Sequence, residues 1–160
     1  MANWCSNRVT FTGDGKALQQ VQELFLAMQH NEETTGNGQL PDFVDTENRY
    51  FFSLYRHEGD FGIFEYETRW SPNTEVVMAI ADRYGVAVRH QYEETGNCIY
   101  GETGYANGIS IETDLDWEDF DRYEYNQEEG LYHFEGEAYE SDCEILEILL
   151  ERKVLQTEKP

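Results

Sequence analysis

Basic residues are scarce in this chain. Eleven Lys plus Arg stand against 33 Asp plus Glu, giving a formal net charge of −22 and a sequence pI near 4.3. Binding to DNA, RNA or an anionic membrane relies on Lys and Arg neutralising phosphate, so direct contact with either is disfavoured. Basic proteins and divalent cations are the partners such a field attracts. Cysteine is also sparse: Cys5, Cys98 and Cys143 are an odd number with no C-x-x-C spacing. No disulfide framework is expected, and a reducing cytoplasm is the simplest compartment. No apolar run approaches the ~20 residues that cross a bilayer, and no secretory leader is read at the start.

The motifs that announce chemistry are missing as well. There is no G-x-S-x-G elbow, no phosphate-binding glycine loop and no dinucleotide fingerprint. His30, His57, His90 and His133 are scattered, outside any H-E-x-x-H pattern or cysteine pair, whereas a structural zinc needs four converging ligands. With 33 acids some carboxylate pair always suits a glycosidase, so that signal has no specificity. No catalytic residue, metal ligand or cofactor is assigned, and the chain is expected to act by binding.

Aromatics are what it has: 11 Tyr, 9 Phe and 3 Trp. Each buries a large area, so a core is available although apolar residues make up only 39%. At 160 residues the chain fits one domain. Alternation over Arg8 to Thr12 predicts a strand, and helical spacing from Lys16 to Met28 predicts an amphipathic helix. A long loop is expected over His30 to Thr46. Strands follow over Tyr50 to Tyr55 and Phe61 to Trp70, with a turn around Glu58-Gly59-Asp60. Ser71-Pro72 reads as the start of a helix that Gly85 stops, and Val86 to Tyr92 as a strand.

That order, strand-helix-strand-strand-helix-strand, predicts an α+β, ferredoxin-like split βαβ domain with two helices on one face of an antiparallel sheet. Beyond it a hairpin turning near Ala106-Asn107 is expected, then one strand over Leu131 to Tyr139. A capping box at Ser141 to Glu144 opens a short helix, and Leu155 to Pro160 reads as a frayed end. Gly101, Gly104 and Gly108 suit strand turns, and Trp4 and Trp70 are expected in the core.

Three blocks carry a family resemblance. They are Met1-Ala-Asn-Trp-Cys-Ser-Asn7 before a Val-Thr-Phe-Thr-Gly strand, Tyr66-Glu-Thr-Arg-Trp-Ser-Pro72 before a helix, and Tyr92-Glu-Glu-Thr-Gly96 with Tyr100-Gly101. Together, over roughly residues 1–105, they resemble the YubB-type ferredoxin-like family of plasmid, conjugative-element and phage proteins. The resemblance implies a ferredoxin-like fold, a mobile-element origin and a bacterial host cytoplasm. It supplies no activity.

The negative charge is concentrated beyond that span: Glu112 to Glu147 holds 15 acids and one base, Arg122. Asp114, Asp116, Glu118, Asp119 and Asp121 alternate somewhat like a calcium loop. However, Asp119 stands where the loop needs glycine and Tyr125 where it needs a bidentate Glu. Trp117 and Phe120 lie among these acids, either as interface anchors with a polar rim or as pins holding the segment to the domain. Glu135 and Glu137, read on one strand, would share a face about 6.7 Å apart. Duplex DNA carries one charge per ~1.7 Å of axis, so about 22 charges match roughly 37 Å of helix, near the domain's own diameter.

The expectation is a non-enzymatic acidic protein that presents a DNA-like surface to a basic host protein, such as a defence nuclease. Its partner-binding residues would be Asp114, Asp116, Trp117, Glu118, Asp119, Phe120, Asp121, Glu135 and Glu137. The alternative is a small-molecule or divalent-cation-binding domain, or an enzyme, using the open sheet face, with the acidity serving solubility.

Overall fold

The computed structural model describes residues 3–56, 59 and 61–158. The expected turn at Glu58-Gly59-Asp60 therefore falls largely outside the described residues, as does His57. The first strand, β1 (Trp4–Thr12), alternates strictly: Cys5, Asn7, Val9 and Phe11 are buried while the residues between them face the other way. Asp14 then caps α1 (Gly15–Thr35), accepting from the Ala17 amide at 2.9 Å. The helix buries Ala17, Val21, Phe25 and Met28 at helical spacing. Next come β2 (Phe52–Arg56), β3 (Ile63–Arg69), α2 (Thr74–Tyr84) and β4 (Ala87–Glu94).

These elements form the antiparallel order β2-β3-β1-β4 with both helices on one side, the ferredoxin-like arrangement expected. Their core lies between sheet and helices. Phe25 stacks on Phe64 at 4.1 Å between ring centroids, and Phe11, Phe51, Val77 and Ile80 close around them.

The sheet is then extended by β5 (Ile99–Ala106) and β6 (Ile109–Asp114), giving six strands. Asn107 and Gly108 both have positive φ in the intervening two-residue turn, the backbone that an Asn-Gly hairpin supplies. A short helix α3 (Trp117–Phe120), a small sheet of β7 (Glu124–Asn126), β8 (Leu131–Phe134) and β9 (Glu137–Tyr139), and α4 (Asp142–Glu158) complete the chain. The acidic stretch is thus a folded lobe with its own core of Leu115, Phe134, Ile145, Leu146, Leu149 and Leu150. Tyr100 and Leu115 lie on the side of β5 and β6 away from α1 and α2, so α4 crosses that opposite face.

Several expectations are corrected. The first helix continues to Thr35, because the polar residues after Met28 keep helical bonds and Gly36 ends them in the left-handed region. Asn73, not Ser71, caps α2. Leu131 to Tyr139 is a hairpin and not one strand: Glu135 and Gly136 both take positive φ and turn β8 into β9. The closing helix has 17 residues and reaches Glu158. Of its expected capping box the Glu144 half forms, accepting from the Ser141 amide, while Ser141 Oγ accepts from the Cys143 amide at 3.1 Å, one residue short of the reciprocal bond. Gly101 and Gly104 lie inside β5 and not in turns. Trp4 and Trp70 are 44% and 54% exposed, outside the core.

Candidate interface and open-face groove

The residues expected at a partner surface divide into two groups. Asp116 caps α3, accepting from the Asp119 amide at 3.1 Å, while Asp119 Oδ2 accepts from the Asp116 amide at 2.9 Å. Asp119 is buried, and Lys153 Nζ lies 2.7 Å from it and 3.4 Å from Asp116. The backbone bond to Asp119 and the nearby Lys153 hold the Asp116 carboxyl below its usual range. Lys153 also donates to the Asp114 carbonyl. Asp114's own carboxylate accepts from the Tyr92 hydroxyl at 2.6 Å.

Glu135 is held in the β8–β9 turn by Arg152 at 2.8 Å and Arg122 at 3.0 Å. Both guanidiniums lie 5.5 Å from the Phe134 ring centre. The Arg152 hydrogen bond lowers the Glu135 pKa. Arg152 and Lys153 are consecutive on α4 and so point about 100° apart. One helix turn therefore fastens α3 on one side and the hairpin on the other. Asp114, Asp116, Asp119 and Glu135 hold the lobe together.

Trp117, Glu118, Asp121 and Glu137 remain exposed. Trp117 is 66% exposed on α3, whereas Phe120 from the same turn packs against the second core. The two aromatics expected to act alike thus have different roles: Phe120 pins α3 and Trp117 faces solvent. Glu135 and Glu137 do not share a strand, so the carboxylate row expected there is not formed.

The sheet face opposite α1 and α2, expected from sequence only as the alternative site, had no residues assigned to it. An open groove of about 630 Å³ lies there, lined by residues that include Ser6, Arg8, Glu65, Glu67, Glu93, Tyr100 and, from α4, Leu150. Alternation over Arg8 to Thr12 placed Arg8 opposite the core, and the start of β1 at Trp4 puts Ser6 on the same face. Which residues they meet depends on strand register, which no local signal reveals. Among the described residues, no group of three His, Cys, Asp or Glu side chains is placed to hold a metal ion.

A family model described as a ferredoxin-like domain in Api92-like protein matches residues 49–135. That span starts later than the resemblance read from the three blocks and runs past residue 105, through β6, α3 and β8. Part of the acidic lobe therefore lies inside the family's domain. No curated protein and no solved structure matches the chain.

Proposed function

The chain belongs to the family of ferredoxin-like domains in Api92-like proteins, and on that premise we propose that it is a non-enzymatic protein that docks a basic protein through its acidic lobe. The observation that carries this reading is Trp117. A two-thirds exposed indole sits on a four-residue helix, with exposed carboxylates close by in the chain at Glu118, at Asp121 just after the helix and at Glu124 opening β7. An apolar centre with a charged rim is the anatomy of an interface hot spot. The lobe's bases are spent internally: Arg122 and Arg152 on Glu135, Lys153 on Asp116 and Asp119. The outward field is accordingly negative and fits a basic surface.

The more specific form of the proposal is that the lobe imitates nucleic-acid charge and occupies the cleft of a host nuclease or nucleic-acid-binding defence protein in a bacterial cytoplasm. It is supported by the acidic balance and by the YubB-like blocks with their mobile-element association. Affinity capture from bacterial lysate tests it, with bound proteins eluted by duplex DNA or by ~0.5 M salt, which shortens screening to a few ångströms. The expected result is a DNA-binding protein released by either. Trp117→Ala should weaken its capture about thirtyfold, the effect of losing a hot spot worth about 2 kcal/mol, without changing the melting temperature. A captured set that ignores both DNA and the Trp117 substitution overturns the reading.

A further inference from the structure

The open-face groove has a floor set by strand register. Phe52 pairs with Glu67, Glu67 with Ser6, Ser6 with Glu93, and Glu93 with Tyr100. One lateral row across five strands therefore reads aromatic, carboxylate, serine, carboxylate, aromatic. Ser6, Glu67, Glu93 and Tyr100 all line the groove, and Leu150 of α4 forms part of its wall. Ser6 is short and leaves a gap between carboxylates whose Cα atoms are two strand spacings, about 10 Å, apart. The volume of about 630 Å³ falls within the range of small-molecule sites, about 300–1,000 Å³.

Charge decides what this gap suits. Glu67 and Glu93 have no cationic partner among the described residues; Glu93 receives only the Cys143 thiol, at 3.7 Å. The groove's own cation, Arg8, sits one row away and approaches Glu65 at 4.0 Å. A cation already rests against the adjoining aromatic wall: the Arg69 guanidinium is 4.8 Å from the Phe52 ring centre and 5.7 Å from that of Trp4. Burial and the Glu93 carboxylate raise the Tyr100 pKa and keep its phenol neutral. Two separated carboxylates with apolar flanks match a linear organic cation with a charge at each end better than a compact metal ion.

We propose that this groove binds a linear aliphatic diamine, with one ammonium on Glu67, the other on Glu93, and the methylene chain lying over Ser6 against Tyr100 and Leu150. The site shares no residue with the surface around Trp117, so it stands or falls separately from the docking function.

Calorimetric titration of the full chain with diaminobutane at about 0.15 M NaCl, where screening is ~8 Å, provides the test. Saturable one-to-one binding is expected. Glu67→Gln and Glu93→Gln should each weaken it about tenfold or more, as expected on losing a charge-assisted contact. Ser6→Leu should fill the gap and abolish binding. Butylamine, with one charge, should bind about tenfold more weakly. A Glu128→Gln/Glu140→Gln double variant, which removes two exposed lobe carboxylates, should bind like the parent chain. Thermal melts of the two isosteric Gln variants verify that they fold. Absence of saturable binding, equal loss in the lobe variant, or displacement of the diamine by an equal concentration of Mg²⁺ would each mean a diffuse ion atmosphere and overturn the site.

Discussion

His90 points from β4 into the layer between sheet and helices, almost fully buried. Its Nε2 lies 2.8 Å from Asn7 Oδ1, an oxygen that can only accept, so the proton sits on Nε2. Nδ1 is then free to accept from the Thr74 hydroxyl at 3.2 Å. Burial pushes the His90 pKa from 6.5 down to about 3. Below pH 6.5 the unfolded chain takes up a proton that the folded chain refuses, so this group makes stability fall as pH falls.

Glu112 acts in the opposite sense. The hydrogen bond to Asp114, then that carboxylate's charge, then burial raise its pKa from 4.5 to about 7. Between those values the folded chain keeps a proton that the unfolded chain has lost, so stability falls as pH rises. This slope is shallow because Glu112 is mostly exposed. His90→Gln should therefore unmask a loss of stability as pH rises from 4.5 to 7, and Glu112→Gln a gain across the same window. Urea denaturation at several pH values reads both; an unchanged slope in either variant would refute that assignment. Gly101 makes the Asp114 position possible. A Cβ there would collide with Asp114 Oδ1 and come within 2.8 Å of the Thr113 carbonyl.

At the level of elements, α4 holds the second core. Ile145 and Leu146 are fully buried and Leu149 nearly so, beneath β5, β6 and the small sheet. Leu146→Ala should cost about 2–5 kcal/mol, the usual range for emptying a buried leucine site. Because the first core is a separate cluster, amides of β7 to β9 should exchange first in hydrogen-exchange measurements. Those of β1 and β4 should keep their protection, and uniform loss across all strands would instead show one indivisible core.

The βαββαβ order was legible because its elements bury apolar stripes at regular spacing. What was not legible depended on partners distant in sequence. The polar end of α1 is fastened when Glu32 accepts from the Ser53 and Leu54 amides at 2.7 and 3.0 Å. The hairpin at Glu135 was hidden because glutamate is an unusual choice for positive φ, and two arginines hold it there. Trp4 looked like core, yet its strand phase turns it outward onto Phe52 and Arg69. Of the proposed interface, the acidic setting of Trp117 was visible in sequence, while the division of labour between Trp117 and Phe120 required the second core.

For the whole molecule, the question is whether ion pairs or repulsion dominate the −22 charge. Salt distinguishes them, since it weakens both. Residues 112–147 contain fifteen acids and one base, and α4 brings only Arg152 and Lys153 to bear on them. Even if every one of those bases neutralises a carboxylate, most of the acids remain unpaired, and repulsion should win. Lowering the Debye length from ~30 Å at 0.01 M to ~8 Å at 0.15 M should therefore raise the melting temperature, by about 3 °C for each kcal/mol of repulsion relieved. Glu128→Gln/Glu140→Gln should melt higher than the parent at low salt and converge with it at high salt. A melting temperature that falls with salt would instead assign the balance to the Arg152 and Lys153 ion pairs. It would also weaken the case for a strong outward field at Trp117, because the lobe's charge would then be spent within the fold.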